Sequence, residues 1–149
     1  MILSYWFAVA ADMSDAEVDT IVGGTFTNPT LTPNTEKADY DPLDAADAGE
    51  NIMRLAFIEA AAAFSNITNI GFQAAVSFDA ADLKIVGASN YKKMDSDGTV
   101  SSIYGSMNFP GTNLDGFFAP LTGEYESFLL LNKSLAIMTQ APSTGGGHF

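Results

Sequence analysis

Cysteine is absent from the sequence of 149 residues, and histidine occurs once, as His148. The lack of cysteine excludes disulfide bonds and thiolate metal sites. A single histidine is too few for a three-histidine zinc site, and a Cys/His catalytic pair cannot form. A serine triad would have only His148 to depend on, so most standard hydrolase constellations are excluded within this chain.

Basic residues are also scarce, because six Lys and Arg stand against eighteen Asp and Glu and give a net charge of −12. This charge repels phosphate groups, so nucleic acid and anionic membranes are poor partners. Cations are better partners, although an acidic surface also serves simply to keep a protein soluble. No stretch reaches the length of a transmembrane helix without charges or breakers, and the apolar segment 1–13 lacks the basic residues of a secretory signal.

The chain has enough apolar material for one core, since 47% of its residues are hydrophobic. We therefore expect a single domain over residues 1–149. Residues 12–47 are rich in Thr, Asn, Pro and Asp, and this composition predicts a long loop region with one short extended piece around residues 24–31.

The strongest helix signal begins at Asp47, which forms a capping-box pair with Glu50. Apolar residues then recur at helical spacing, while Arg54, Glu59 and Ser65 occupy the opposite side. The small residues of this helix would let it lie close against a sheet. Its predicted apolar face consists of Ile52, Ala56, Ala60, Ala63, Phe64 and Ile67.

Alternation of apolar and polar residues predicts strands before and after this helix. The continuous apolar run near residue 130 indicates a strand that is buried on both faces. The predicted fold class is α+β, with a twisted mixed sheet of about five strands and one long helix packed on it. The strands are expected within residues 1–13, 71–78, 82–89, 101–109 and 125–132.

The segment "MDSDGTVSS" is a candidate ion-binding loop. Asp95 and Asp97 offer carboxylates at alternating positions, and Gly98 supplies a flexible turn, which suits a calcium ion. The full EF-hand pattern is absent, because no Glu stands where the bidentate ligand belongs. A simple Asp-Gly turn between strands accounts for the same residues.

Five segments in order resemble the first half of the catalytic domain of a serralysin-like metzincin, a zinc protease related to the matrixins. They are "FSNITNIGFQ", "AADLKIVGAS", "YGSMNFPG", "GEYESFLLLN" and "GGGHF". The resemblance covers about residues 2–149, with Phe64 in place of the usual Trp. In that family the next element is the helix with the His-Glu-x-x-His-x-x-Gly-x-x-His sequence, which holds zinc and carries the general base. The resemblance therefore implies that "PSTGGGHF" leads to a zinc helix on a missing or separate C-terminal segment.

By this resemblance the chain is the N-terminal portion of a secreted zinc-dependent endopeptidase, and its partners are the complementary segment and a peptide or protein substrate. The zinc would be bound by that segment and not by this chain. In the family, an edge strand lines the cleft and pairs antiparallel with the extended substrate. The residues at the matching positions here are Ile103, Tyr104, Gly105, Ser106, Met107, Asn108 and Phe109.

Two alternatives stand beside this interpretation. The segment 103–109 is also compatible with an ordinary edge strand that Pro110 and Gly111 simply end. The whole chain is also compatible with a non-catalytic structural or binding module that assembles through its exposed edge.

Overall fold

The computed structural model describes residues 1–22, 30–44, 48–108 and 127–135. Over these residues the chain is a mixed α/β protein with two helices and one mixed sheet of seven strands. The predicted mixed sheet is confirmed, but it has more strands than the alternation indicated. The helices are α1 (Asp15–Ile21) and α2 (Ala48–Ile67); the strands are β1 (Ile2–Phe7), β2 (Thr35–Tyr40), β3 (Gly71–Ala74), β4 (Leu83–Met94), β5 (Val100–Ser102), β6 (Gly105–Asn108) and β7 (Ser127–Asn132).

The long strand β4 is the centre of the sheet. Its first half runs parallel to β1 on one side and to β7 on the other. Its second half runs antiparallel to β2 and β5. The main strand order is β3-β1-β4-β7-β6, in which β6 pairs antiparallel with β7. Strand β4 therefore belongs to a parallel part of the sheet through its first half and to an antiparallel part through its second half.

The sheet has a hydrophobic core on each face. This was expected because the continuous apolar run of β7 places apolar side chains on both faces of the sheet. On the first face, the α1-side core, Phe128 and Leu130 of β7 pack with Val18 of α1. On the other face, the α2-side core, the fully buried Ile85 packs with Met53 of α2. Leu129 and Leu131 of β7 pack against this second core, so alternate residues of β7 contribute to opposite cores and the prediction of burial on both faces is confirmed.

The predicted face of α2 is wrong. Among the described side chains of this helix, Met53 and Ala61 are the buried ones, and Phe57 packs against the α2-side core. Phe64 and Ile67, both assigned to the core face, are 45% and 82% exposed. Alanines make several sides of this helix apolar, so helical spacing alone could not select the side that faces the sheet. None of the helices in the described ranges is long and apolar enough to cross a membrane.

The predicted loop region 12–47 contains two regular elements, α1 and β2. Helix α1 begins after Ser14, whose hydroxyl accepts a hydrogen bond from the Glu17 amide and donates one to the Glu17 carboxylate. The pair Ser14 and Glu17 matches the capping-box sequence pattern, which could have revealed this helix start; in the structure the Glu17 carboxylate accepts from the Ser14 hydroxyl. The short extended piece expected around residues 24–31 lies largely outside the described residues.

A β-bulge at Asn90 reorients the second half of β4. Asn90 has a positive φ of 51°, and the pairing of β2 with β4 shifts register at this point. The Asn90 side-chain amide donates to Asp39 on β2, and its backbone amide donates to the Ser134 hydroxyl. Because the bulge adds one residue, Tyr91 points to the same face as Ala88, and both lie in the α1-side core.

Candidate functional site

Strand β6 occupies one end of the sheet. Within the described residues it pairs only with β7, in the register Ser106 opposite Leu130 and Met107 opposite Leu129. The resemblance had implied an edge position for this segment, and the described part of it does lie at an edge. Phe109, the last residue of the expected rim, lies outside the described residues.

Backbone alternation shows which groups of β6 face outward. The Tyr104 carbonyl, just before the strand, accepts a hydrogen bond from the Asn132 amide on β7 at 2.8 Å. Because the direction of backbone groups alternates along a strand, those of Ser106 also face β7, while those of Gly105 and Met107 face away from it. These outward N–H and C=O groups are the type of edge to which another extended chain can add.

The side chains along this edge differ on the two faces of the sheet. Met107 lies opposite Leu129, a residue packed against the α2-side core, and is 45% exposed. Tyr104, which precedes the strand, is 60% exposed. Ser106 is half-buried and points toward Tyr91 on the other face. An added chain would thus meet two exposed apolar side chains beside the outward backbone groups.

Two residues of this rim make inward contacts. A Cβ built on Gly105 would meet the Leu130 carbonyl oxygen at 2.5 Å. The close approach that requires glycine is therefore to β7 and not to an outside chain. Ile103 packs against the α1-side core, so its side chain belongs to the interior.

Sequence reasoning missed Asn132, which organises the start of β6. Strand β5 pairs with β4, whereas the next strand, β6, pairs with β7. Asn132 lies where the chain passes from the first pairing to the second. Its side-chain amide donates to the carbonyls of Ile103, at 2.8 Å, and Tyr91, at 3.4 Å, and its Oδ1 accepts from the Ser134 amide. Asn132 is 1% exposed, so these bonds satisfy a polar group inside the protein. The signal available in the sequence was a polar residue, Asn132, at the end of an apolar run.

Tyr91 is the second residue that sequence reasoning missed. Its ring is buried, and its hydroxyl lies 2.8 Å from a Glu36 carboxylate oxygen and 3.1 Å from the Ser106 hydroxyl. Burial raises the pKa of Tyr91 to about 12; the Ser106 hydrogen bond opposes this rise and Glu36 adds to it. The phenol is therefore neutral throughout the physiological range and acts as a hydrogen-bonding link.

The segment with Asp95 and Asp97 forms the turn between β4 and β5. The Gly98 amide donates to the Asp95 carbonyl, and Gly98 has a positive φ of 86°. Asp97 Oδ1 accepts from the Thr99 amide, and hydrogen bonds from Thr99 lower the pKa of Asp97. Asp95 pairs with Lys93 at 3.2 Å. A turn accounts for these residues, and calcium binding at this turn stays a prediction.

Among the described residues no group of three or more His, Cys, Asp or Glu side chains is placed to hold a metal ion. The single histidine, His148, lies outside the described ranges. Comparison of the chain with protein-family models, with curated proteins and with solved structures gave no match.

Proposed function

We propose that the chain is the N-terminal portion of a secreted zinc-dependent endopeptidase and that β6 is the strand on which the substrate peptide lies. The observation that carries this proposal is the position of β6 at the end of the sheet, with the backbone groups of Gly105 and Met107 turned outward. An extended peptide can pair with these groups as an additional strand.

The order of elements supports the same proposal. The resemblance implies a strand, a long helix, further strands, an edge strand, and a last strand before the zinc helix. Strand β1, helix α2 and strands β3, β4, β6 and β7 follow that order. The edge position of β6 cannot be read from the alternation of residues alone, so it adds independent weight to the resemblance.

The part of the reaction assigned to this chain is binding and orientation of the peptide. Its described carboxylates do not fit a zinc site, because none of them lies in a cluster of three potential ligands. On the complementary segment the zinc would supply an activated water. Pairing with β6 would hold the peptide extended, so that one bond is presented to that segment in a fixed orientation.

The test uses two substitutions at Met107. Met107→Pro removes an outward N–H while leaving the hydrogen bonds from β6 to β7 in place, because proline is tolerated where the N–H faces solvent. Met107→Ala removes the side chain and keeps the N–H. Binding of a fluorescent extended peptide of about eight residues is measured by anisotropy, and we expect Met107→Pro to weaken it about tenfold and Met107→Ala about twofold.

A companion assay addresses the enzyme itself. The protein purified from its natural source, with any segment that accompanies it, is assayed for casein cleavage with and without a zinc chelator, and its denatured mass is recorded. Chelator-sensitive cleavage together with a polypeptide carrying the zinc helix is the expected result. Equal loss of peptide binding in both Met107 variants, or cleavage that the chelator does not affect, contradicts the proposal.

The same edge favours a second candidate, a structural module that assembles with copies of itself. Exposed Tyr104 and Met107, beside backbone groups that face away from β7 and that no other described strand pairs with, are features of strands that pair between molecules. In this case sedimentation shows association that rises with concentration and is lost in Met107→Pro, and no chelator-sensitive cleavage accompanies it.

A further inference from the structure

The peptide-binding edge proposed above is connected to the interior through one buried hydroxyl. Tyr91 lies on β4, is 1% exposed, and contacts β6 across the end of β7. It reaches this place because the bulge at Asn90 turns it into the α1-side core. Its hydroxyl lies between Glu36 of β2 and Ser106 of β6, so three strands meet at one oxygen.

The direction of these two hydrogen bonds follows from proton count. A phenol has one hydrogen, and the Tyr91 hydroxyl donates it to the Glu36 carboxylate. With that hydrogen directed to Glu36, the Ser106 hydroxyl is the group left to donate across its 3.1 Å contact with the Tyr91 oxygen. The negative charge of Glu36 thus polarises both bonds, and hydrogen bonds to charged groups are the stronger kind.

A contact at Ser106 affects the part of β6 that would pair with the peptide. It lies between Gly105 and Met107, whose outward groups would pair with the peptide, and its own backbone faces β7. At the start of the strand, Asn132 fixes the Ile103 and Tyr104 carbonyls. Hydrogen bonds from Asn132 therefore fix the start of β6, and the hydrogen bond between Tyr91 and Ser106 fixes its middle.

We propose that Tyr91 is a positioning residue that fixes β6 in the register and orientation in which it pairs with peptide, and this inference rests on the proposed function. Tyr91 does not touch the peptide, because its hydroxyl lies on the inner side of Ser106. Its effect passes through the Ser106 side chain to the strand. Removal of the Tyr91 hydroxyl would leave β6 paired with β7 and allow it to open more often.

The experiment compares Tyr91→Phe with Tyr40→Phe in the full chain. Tyr40 also loses a partly buried hydroxyl hydrogen bond, but it lies on β2 and its hydroxyl donates to the Val9 carbonyl, in the segment that follows β1. Hydrogen exchange of the Ser106 amide is measured by NMR, and the affinity for the fluorescent extended peptide by anisotropy. We expect Tyr91→Phe to speed this exchange about tenfold and to weaken peptide binding about fivefold, with Tyr40→Phe changing each less than twofold.

A second variant keeps the test independent of overall stability. Ser106→Ala should reproduce the exchange change of Tyr91→Phe, and the double variant should add nothing beyond either single one, because the two side chains act as a unit. The inference is overturned if Tyr40→Phe changes the exchange at Ser106 as much as Tyr91→Phe does, or if the two single effects add. Failure of the unsubstituted chain to bind peptide overturns the proposed function instead, and the exchange comparison still decides whether Tyr91 fixes the strand.

Discussion

The carboxylate of Asp82 accepts two hydrogen bonds from Ser4, one from the backbone amide and one from the hydroxyl, each 2.8 Å long. The Asp82 amide in turn donates to the Ser4 hydroxyl at 3.1 Å. Asp82 immediately precedes β4, and Ser4 lies in β1, so this reciprocal contact joins the two parallel strands where their pairing begins.

Replacement of Asp82 by alanine should lower the free energy of unfolding by about 2 kcal/mol, because two hydrogen bonds to a charged acceptor are lost. Asp82→Asn should cost less, since its amide oxygen can still accept. Urea denaturation measures both effects. Asp79→Ala, an exposed carboxylate in the same loop, is the control and should change stability by less than about 0.5 kcal/mol. Equal effects at the two positions would show that the contact with Ser4 contributes nothing.

Substitution of Gly87 by alanine should strongly destabilise the protein. A Cβ at this position of β4 would overlap the Asp41 carbonyl oxygen and come within 2.9 Å of the Leu43 side chain. Backbone must then move, and the expected cost is about 3 kcal/mol by thermal or chemical denaturation. At Gly71 the nearest atom to a new Cβ is Ile2 Cγ1, at 3.7 Å, so Gly71→Ala should leave stability unchanged or slightly higher. A stable Gly87→Ala variant would contradict this packing.

The position of Asn90 requires a left-handed backbone, which β-branched residues rarely adopt. Asn90→Val should therefore destabilise the protein by about 2 kcal/mol, while Asn90→Gly should cost at most about 1 kcal/mol through loss of the hydrogen bond to Asp39. Chemical denaturation of the two variants checks the order. If valine were tolerated as well as glycine, the bulge would not constrain β4.

Stability should fall as the pH rises above 10. The pKa of Tyr91 is raised from 10.0 to about 12, chiefly by burial, so between these values the folded state keeps a proton that the unfolded state has lost. The contribution of the neutral Tyr91 phenol to the free energy of unfolding is fully present below pH 10. It is lost as the pH rises through the pKa of Tyr91 in the folded state. In Tyr91→Phe the decline in unfolding free energy between pH 10 and 12 should be smaller than in the unsubstituted protein, because one titrating phenol is removed. An identical decline in the variant and the unsubstituted protein would contradict a raised pKa of Tyr91 in the folded state.

The sequence predicts the elements whose signal is local. Residues of β1, β4 and β7 follow recognisable patterns of alternation or continuous apolarity. Helix α2 begins at Ala48, one residue after the predicted cap Asp47, which lies outside the described residues. Strand β2, with the sequence TEKADY, was missed because it is largely polar and finds its place by pairing with β4. Helix α1 was missed although Ser14 and Glu17 match the capping-box sequence pattern, because its seven residues lie in a segment of loop-like composition.

The candidate site was predictable only in part. Residues 105–108 were expected at an edge through the family resemblance, and β6 lies there. The change of strand partner at Ile103 and the roles of Tyr91 and Asn132 depend on contacts between distant parts of the chain. Nothing in the segment "NYKKMD" distinguishes Tyr91 from a surface strand residue, because its inward direction comes from the bulge at Asn90.

The pairing of β1 with distant strands also has a consequence for synthesis of the chain. Strand β1 is synthesised before its neighbours, so its contacts with β3 and β4 must wait for residues 71–74 and 83–85. Strand β4 in turn stays without β7 until residue 132 has been made. At about 5–20 residues per second, the aromatic segment SYWF of β1 is exposed for several seconds before its neighbours exist. During that interval the nascent strand needs protection from association with other molecules, because the sheet around β4 cannot be completed before β7 is made.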